Sequence, residues 1–173
     1  MPRFLIIAAL LLLPAACYSG PDPNQSAGGG GPAALTGAPA QSFDVSRTDG
    51  RTDSLARYRG KVVLMNLWAT WCPPCQEEMP ALERFARENA GKVTVIGVDQ
   101  GEAAAVAADF AKQHGVTFPI LVDEKQQYGR AYAAVGLPTT VIVGRDGHVV
   151  RGIDGPLTLA QMHDAVATAL AQK

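Results

Sequence analysis

Apolar residues along the chain change period several times, and the changes divide the chain into elements. Residues 61–69 (KVVLMNLWA) and 93–99 (VTVIGVD) are almost continuous apolar runs, as expected for strands buried on both faces. Between them, apolar residues recur at helical spacing over 79–86, and Gly91 supplies a helix stop. The first half of the chain is therefore predicted to be strand, helix, strand.

The pattern before and after this unit predicts further elements. Residues 43–55 form a hairpin that turns at Asp49-Gly50. Then come a helix over 102–114 with Val106 and Phe110 on one side, a strand over 118–123, a helix over 126–135 and a hairpin over 139–153 that turns near 145–147. Thr158 and Gln161 make a capping box for a last helix, whose buried stripe is Leu159, Met162, Val166 and Leu170. This order predicts an α/β fold with a mixed central sheet flanked by helices.

Length and charge limit the function classes. The chain has 173 residues, enough for one domain of ordinary size with accessory segments, and 47% of them are hydrophobic. The formal net charge is −1, which argues against general attraction to nucleic acid. We therefore expect no nucleic-acid partner.

The N-terminus has the features of a secretory signal peptide, which we place at residues 1–16. Arg3 precedes the apolar run 4–13 (FLIIAALLLL), and small residues follow it. Ten apolar residues are too few to cross a bilayer as a helix, which takes about 20. Export implies an oxidising compartment, in which disulfides persist.

Residues 13–17 (LPAAC) resemble the lipobox of bacterial lipoproteins, in which the cysteine, here Cys17, receives the lipid. Pro14 departs from that pattern, and ordinary cleavage nearby, with Cys17 lost or left as a free thiol, is the alternative. Residues 18–42 are rich in Gly, Pro, Ala and Ser and poor in large apolar residues, so they are predicted to be a flexible linker. The expected organisation is a lipid-anchored linker over 17–42 and one domain over 43–173.

Cys72 and Cys75 stand where a buried strand gives way to a helix, in the motif WCPPC. The helix N-terminus stabilises a thiolate at Cys72, and Cys75 lies one turn along, where it can attack a mixed disulfide. A zinc site would need a second ligand pair, and His114, His148 and His163 lack ligand-like spacing. A purely structural disulfide would close almost no loop. The residues favour a redox-active dithiol and predict no metal.

Three stretches, 62–75 (VVLMNLWATWCPPC), 77–80 (EEMP) and 136–147 (GLPTTVIVGRDG), resemble the TlpA/ResA-like family of membrane-tethered thiol–disulfide oxidoreductases. The resemblance implies a thioredoxin-like fold over about residues 43–172. It also implies that Cys72 is the nucleophile and Cys75 the resolving thiol. On the same basis Pro138 is the cis-proline that faces the disulfide, and Leu137 offers its backbone to an extended substrate.

Four other positions concern the surroundings of the dithiol, and the resemblance bears on two of them, Asn66 and Glu78. Trp71 is a candidate substrate contact, since it and Trp68 would give apolar cover beside the sulfur. Asn66 stands where thioredoxins have a buried acid. Glu78 matches a glutamate that ResA-like proteins keep near the dithiol, where it could tune the thiol pKa or relay protons. The alternative for Glu78 is a first-turn acid favoured by the helix dipole, like Glu77.

The resemblance implies an exported, lipid-anchored reductant of client disulfides, such as those of apocytochrome c. Electrons would come from a membrane donor of the DsbD/CcdA kind, without a bound cofactor. The residues do not fix the direction of transfer, so an oxidant or isomerase stays open, as does a non-catalytic envelope lipoprotein. The sequence Leu137-Pro138-Thr139-Thr140 favours a general or ResA-like role over the cytochrome-specific branch, which usually shows G-x-P-E.

Overall fold

The computed structural model describes residues 30–172, which form seven strands, four α-helices and two short 3₁₀ helices. The strands are β1 (Val45–Arg47), β2 (Thr52–Asp53), β3 (Val62–Trp68), β4 (Val93–Gln100), β5 (Ile120–Asp123), β6 (Thr139–Val143) and β7 (Val149–Asp154). The helices are α1 (Pro73–Glu88), α2 (Ala104–Gln113), α3 (Gln127–Ala131) and α4 (Leu159–Ala171), and the 3₁₀ helices are Pro32–Leu35 and Leu55–Tyr58.

All seven strands form one mixed sheet in the order β2-β1-β5-β4-β3-β6-β7. β3, β4 and β5 run parallel, and β1 and β6 join them antiparallel on either side. The central strand β3 is buried along its whole length, which explains its continuous apolar sequence. The mixed α/β architecture predicted from the sequence is confirmed, as are its two hairpins.

Two hydrophobic cores fill the two sides of the sheet. On one side, α1, α2 and α4 cover the sheet with Phe85, Phe110 and Met162 among their buried residues. On the other side, Tyr128 and Tyr132 pack with Leu55 against the remaining strand residues. Because helices cover both sides, the loops at the strand ends are the accessible places for chemistry.

Helix details differ in part from the sequence pattern. The capping box is confirmed, with Thr158 Oγ1 accepting from the Gln161 backbone N–H at 3.3 Å. In α2, however, Ala107 and Phe110 are buried, whereas Val106 is 45% exposed. Of the two residues predicted to lie on one side of the helix, Phe110 is therefore buried and Val106 is exposed. In α4, the buried stripe is Met162, Ala165, Val166 and Ala169, with Leu159 and Leu170 only partly buried.

The last part of the predicted linker packs on the sheet. Gly37 N donates to Val149 O at 2.7 Å, and Val149 N donates to Ala38 O at 2.9 Å, so the segment pairs with the edge of β7. Pro32 is buried and lies so close to Gly152 that a Cβ there would collide with it. The structured part of the chain therefore begins before residue 43, because the open β7 edge supplies backbone partners.

This segment meets the sheet at the end where the dithiol lies. Gly31 lies beside the carboxyl of Asp154, the last residue of β7. Asp154 Oδ1 accepts from Thr139 Oγ1 at 2.8 Å, and Gly155 N donates to Pro138 O at 2.9 Å. Within residues 30–172 no helix is both long enough and apolar enough to cross a membrane.

Candidate active site

A disulfide joins Cys72 and Cys75 at the start of α1. Cys72 is the N-cap, and its Sγ accepts a hydrogen bond from the Cys75 backbone N–H at 3.3 Å. Pro73 and Pro74 fill the first turn, where a missing N–H costs little. Both cysteines are almost fully buried. The sulfur of Cys72 therefore lies at the positive end of the helix dipole, where a thiolate is stabilised.

The loop before β6 borders the dithiol from the neighbouring strand. The Leu137–Pro138 peptide bond is cis. Because Leu67 of β3 pairs with Thr139 of β6, Pro138 lies level with the end of β3, from which the chain leads to Cys72.

A groove runs from the dithiol loop to α3. It encloses about 290 Å³ and is bordered by Trp71, Gln126, Arg130, Val135 and Leu137, among others. The Trp71 side chain is 65% exposed and that of Val135 is 76% exposed. The groove offers apolar surface and one cation, Arg130, and it reaches Trp71, the residue before Cys72.

Glu78 is a buried carboxyl one helical turn beyond Cys75. Its side chain is only 4% exposed, whereas its neighbour Glu77 faces solvent. Asn66 Nδ2 donates to Glu78 Oε2 at 3.2 Å, and Leu157 N donates to Oε1 at 2.8 Å. Burial raises the pKa of Glu78 to about 7, although these two hydrogen bonds act against the rise. Glu78 can therefore gain and lose a proton near neutral pH.

The sequence patterns did not single out three polar residues near the dithiol, Thr70, Asp99 and Glu102. Glu102, in the loop after β4, accepts from the backbone N–H of Thr70 at 2.6 Å and from its hydroxyl at 2.5 Å. Asp99, the last but one residue of β4, accepts from Glu102 N at 3.1 Å. Asp99 and Glu102 could have been found from their position at the end of β4. The neighbouring parallel strand β3 ends at the same edge of the sheet.

Other predicted positions take different places. Trp68 is fully buried and packs on Phe110 at a ring separation of 5.0 Å, so it belongs to the core, and only Trp71 of the pair faces solvent. The three histidines lie at or near the surface. His114 stacks on Phe110, His148 lies beside Asp146, and His163 lies beside Glu88. Residues 30–172 contain no group of three or more His, Cys, Asp or Glu side chains that could hold a metal. Cys17 lies outside the described residues.

Comparison with known proteins agrees with this geometry. Residues 36–151 match the AhpC/TSA family. The chain belongs to the AhpC/TSA family. It is 38% identical to the thiol-disulfide oxidoreductase ResA of Geobacillus thermodenitrificans over 127 residues, 73% of each chain. It is 31% identical to ResA of Bacillus subtilis, covering 94% of this chain and 91% of that one.

Two crystal structures support the same assignment of fold. A thiol:disulfide interchange protein of the thioredoxin family from Chlorobium tepidum superposes with a TM-score of 0.68 at 28% identity, covering 77% of this chain and 96% of that one. StoA from Bacillus subtilis superposes with a TM-score of 0.64 at 26% identity, covering 75% and 98%. The thioredoxin-like fold and the resemblance to ResA-like proteins are confirmed. This member of the family is a thiol–disulfide oxidoreductase.

Proposed function

We propose that the protein is exported and reduces disulfides of client proteins in the cell envelope. The observation that carries the proposal is the position of the Cys72–Cys75 pair at the N-terminus of α1. The Cys72 thiolate attacks a client disulfide, forms a mixed disulfide and releases one client thiolate. The Cys75 thiolate then attacks Cys72 Sγ and releases the second client thiolate. The client gains two electrons, and the protein is left with the Cys72–Cys75 disulfide.

The groove beside the dithiol is the proposed client site. Trp71, which precedes Cys72 in the chain, and Leu137 border it, and Val135 adds apolar surface farther along. We expect the backbone of Leu137, before Pro138, to pair with an extended client segment. An extended segment carrying an exposed cysteine pair, as in an apocytochrome c, fits such a surface.

Glu78 is the proposed proton relay for Cys75. The two residues are three apart on α1, and such residues lie on the same face of a helix. Glu78 and Leu157 also border a surface depression, which offers a route for the proton to solvent. Because its pKa is about 7, Glu78 can accept the Cys75 proton as the resolving thiolate forms.

Anchoring by a lipid on Cys17 and reduction by a membrane donor of the DsbD/CcdA kind complete the proposal. The contact of Gly31 with Asp154 supports it, since the chain joins the domain at the edge that carries the dithiol. A tether that enters there keeps the dithiol near the membrane. In a fractionation experiment, Cys17→Ser should move the protein from the membrane to the soluble fraction. Retention of the variant in the membrane would contradict lipid anchoring at Cys17.

The direction of electron transfer is tested by the reduction potential of the dithiol, measured in glutathione and dithiothreitol buffers. We expect a value near that of thioredoxin, about −270 mV, or lower. A value near about −120 mV would instead assign the protein to disulfide donation. In insulin reduction with dithiothreitol, Cys72→Ser should be inactive, and activity equal to that of the wild type would contradict the catalytic role of Cys72.

A further inference from the structure

The loop that leads from β3 into the dithiol is held at one residue, Thr70. Glu102 accepts both the backbone N–H of Thr70, at 2.6 Å, and its hydroxyl, at 2.5 Å. Gln76 Nε2 of α1 donates to the carbonyl of Thr70 at 2.5 Å. All three polar groups of Thr70 are therefore bound to side chains from two other parts of the chain. Only Trp71 separates this residue from Cys72.

The backbone N–H of Glu102 is itself held by a buried acid, Asp99. Asp99 Oδ1 accepts from the Glu102 backbone N–H at 3.1 Å, and the Asp99 side chain is fully buried. Asp99 of β4 pairs with Trp68, the last residue of β3, so Asp99 lies level with the end of β3. The result is a continuous chain of contacts from Asp99 through Glu102 and Thr70 to the dithiol loop.

We propose that Glu102 is a positioning residue for the redox reaction, which holds Cys72 at the N-terminus of α1 through Thr70 and is supported by the buried carboxyl of Asp99. The role differs from that proposed for Glu78, which lies on the other side of the dithiol with Asn66 and Leu157. It rests on the proposed function, in which Cys72 is the attacking sulfur.

The protonation of the two acids agrees with these roles. Burial opposes the ionisation of Glu102, but the hydrogen bonds from Thr70 and from the Asp99 side chain together outweigh it and lower the pKa of Glu102. Burial raises the pKa of Asp99 to about 8, and the neighbouring Glu102 and Asp123 carboxyls add to the rise. At neutral pH Glu102 is thus charged and accepts both hydrogen bonds from Thr70, whereas Asp99 is neutral.

The sign of one measurement separates positioning from simple electrostatics. Glu102→Gln removes a negative charge near the dithiol, and that alone would lower the pKa of the Cys72 thiol. It also leaves Thr70 with one acceptor oxygen for its two donors, because the amide nitrogen cannot accept. If Glu102 positions the loop, this substitution lets Cys72 move away from the N-terminus of α1. The pKa of the Cys72 thiol then rises, because the helix N-terminus stabilises the thiolate less.

The experiment compares four variants of the full chain in reduced form, with the pKa of the Cys72 thiol measured by alkylation rate against pH. For Glu102→Gln we expect that pKa to rise by about one unit and insulin reduction at neutral pH to slow roughly tenfold, the effect of losing one charge-assisted hydrogen bond. Thr70→Val keeps the backbone N–H and loses the hydroxyl, so it should act in the same direction but less, by roughly threefold.

The third variant tests the neutral state of Asp99, and the fourth is the matched control. Asp99→Asn keeps a carbonyl oxygen for the Glu102 N–H and mimics the neutral acid, so it should stay within about twofold of the wild type. Glu88→Gln removes an exposed acid that pairs with Arg84 at the far end of α1 and should leave the thiol pKa unchanged. Circular dichroism checks that each variant is folded.

The outcomes are distinguishable. An unchanged or lowered thiol pKa in Glu102→Gln, with Cys72→Ser inactive, would overturn the positioning role and leave the proposed function standing. Full activity of Cys72→Ser would overturn the proposed function itself. A tenfold loss in Asp99→Asn would remove the neutral carboxyl from the proposal, because the asparagine has the same shape and lacks only the acid.

Discussion

Asn66 and Glu78 meet in the interior between β3 and α1, where Asn66 Nδ2 donates to Glu78 Oε2 at 3.2 Å. Asn66 also donates to Thr140 Oγ1 at 3.1 Å, so the amide links the carboxyl to β6. The buried carboxyl of this pair is on the helix, and the strand supplies the amide that binds it. One turn of α1 separates it from Cys75.

Glu78→Gln should change how stability depends on pH. Moving the pKa of a carboxyl from 4.5 to about 7 corresponds to roughly 3 kcal/mol. Below pH 4.5 the acid is neutral in both states, and above it only the unfolded chain ionises until the folded pKa is passed. The wild type therefore loses that stability as pH rises from about 4.5 to about 7, whereas the glutamine variant does not. Urea unfolding across this range measures the difference, and parallel curves would contradict a raised pKa.

Trp71→Ala should weaken client binding without weakening the fold. The side chain is 65% exposed, so the free energy of unfolding should change by less than about 0.5 kcal/mol. If Trp71 contacts the client, KM for a disulfide-bonded peptide should rise several-fold with kcat little changed. Val106→Ala is the matched control, because Val106 is another exposed apolar residue outside the groove. Equal KM values for the two variants would remove Trp71 from the client site.

Tyr128→Phe should destabilise the domain more than Tyr132→Phe. The Tyr128 hydroxyl accepts from Phe43 N and Leu55 N, both at 3.1 Å, and donates to Phe43 O. Its removal leaves two N–H groups without an acceptor, which costs about 2–4 kcal/mol. The Tyr132 hydroxyl only donates to Gln41 O, so its loss should cost about 1 kcal/mol. Urea unfolding of both variants gives the two values, and a reversed order would contradict this assignment of hydrogen bonds.

Chains that start at residue 30 and at residue 43 should differ in stability. The shorter chain loses the backbone pairing with Val149 and the buried Pro32. It also loses Ser42 Oγ, which accepts from Ala56 N at 2.8 Å. The sum of several such hydrogen bonds predicts a loss of at least about 2 kcal/mol. Equal urea midpoints would mean that the segment contributes nothing and behaves as the linker that its composition predicts.

Composition alone placed the start of the folded domain at residue 43, after the segment that pairs with β7, and there is a physical reason for this difference. Glycine, proline and alanine cannot build a core of their own, so the segment 30–42 is predicted to have no independent fold. Its order comes instead from the free edge of β7, which lies more than a hundred residues away in the sequence. Local patterns contain no information about such a partner.

Local sequence patterns predicted the main strands and helices and the redox-active cysteine pair. Continuous apolar runs, the capping box at Thr158 and the cysteine pair at a strand-to-helix junction are local signals, and local chemistry fixes their meaning. The surroundings of the dithiol, in contrast, depend on how distant parts of the chain pack together. This packing buried Glu78 and exposed Glu77, moved Trp68 into the core, and brought Glu102 onto Thr70 from the adjacent strand end. These outcomes depend on strand order and register, which join residues about thirty or more positions apart, and periodicity along one segment cannot encode them.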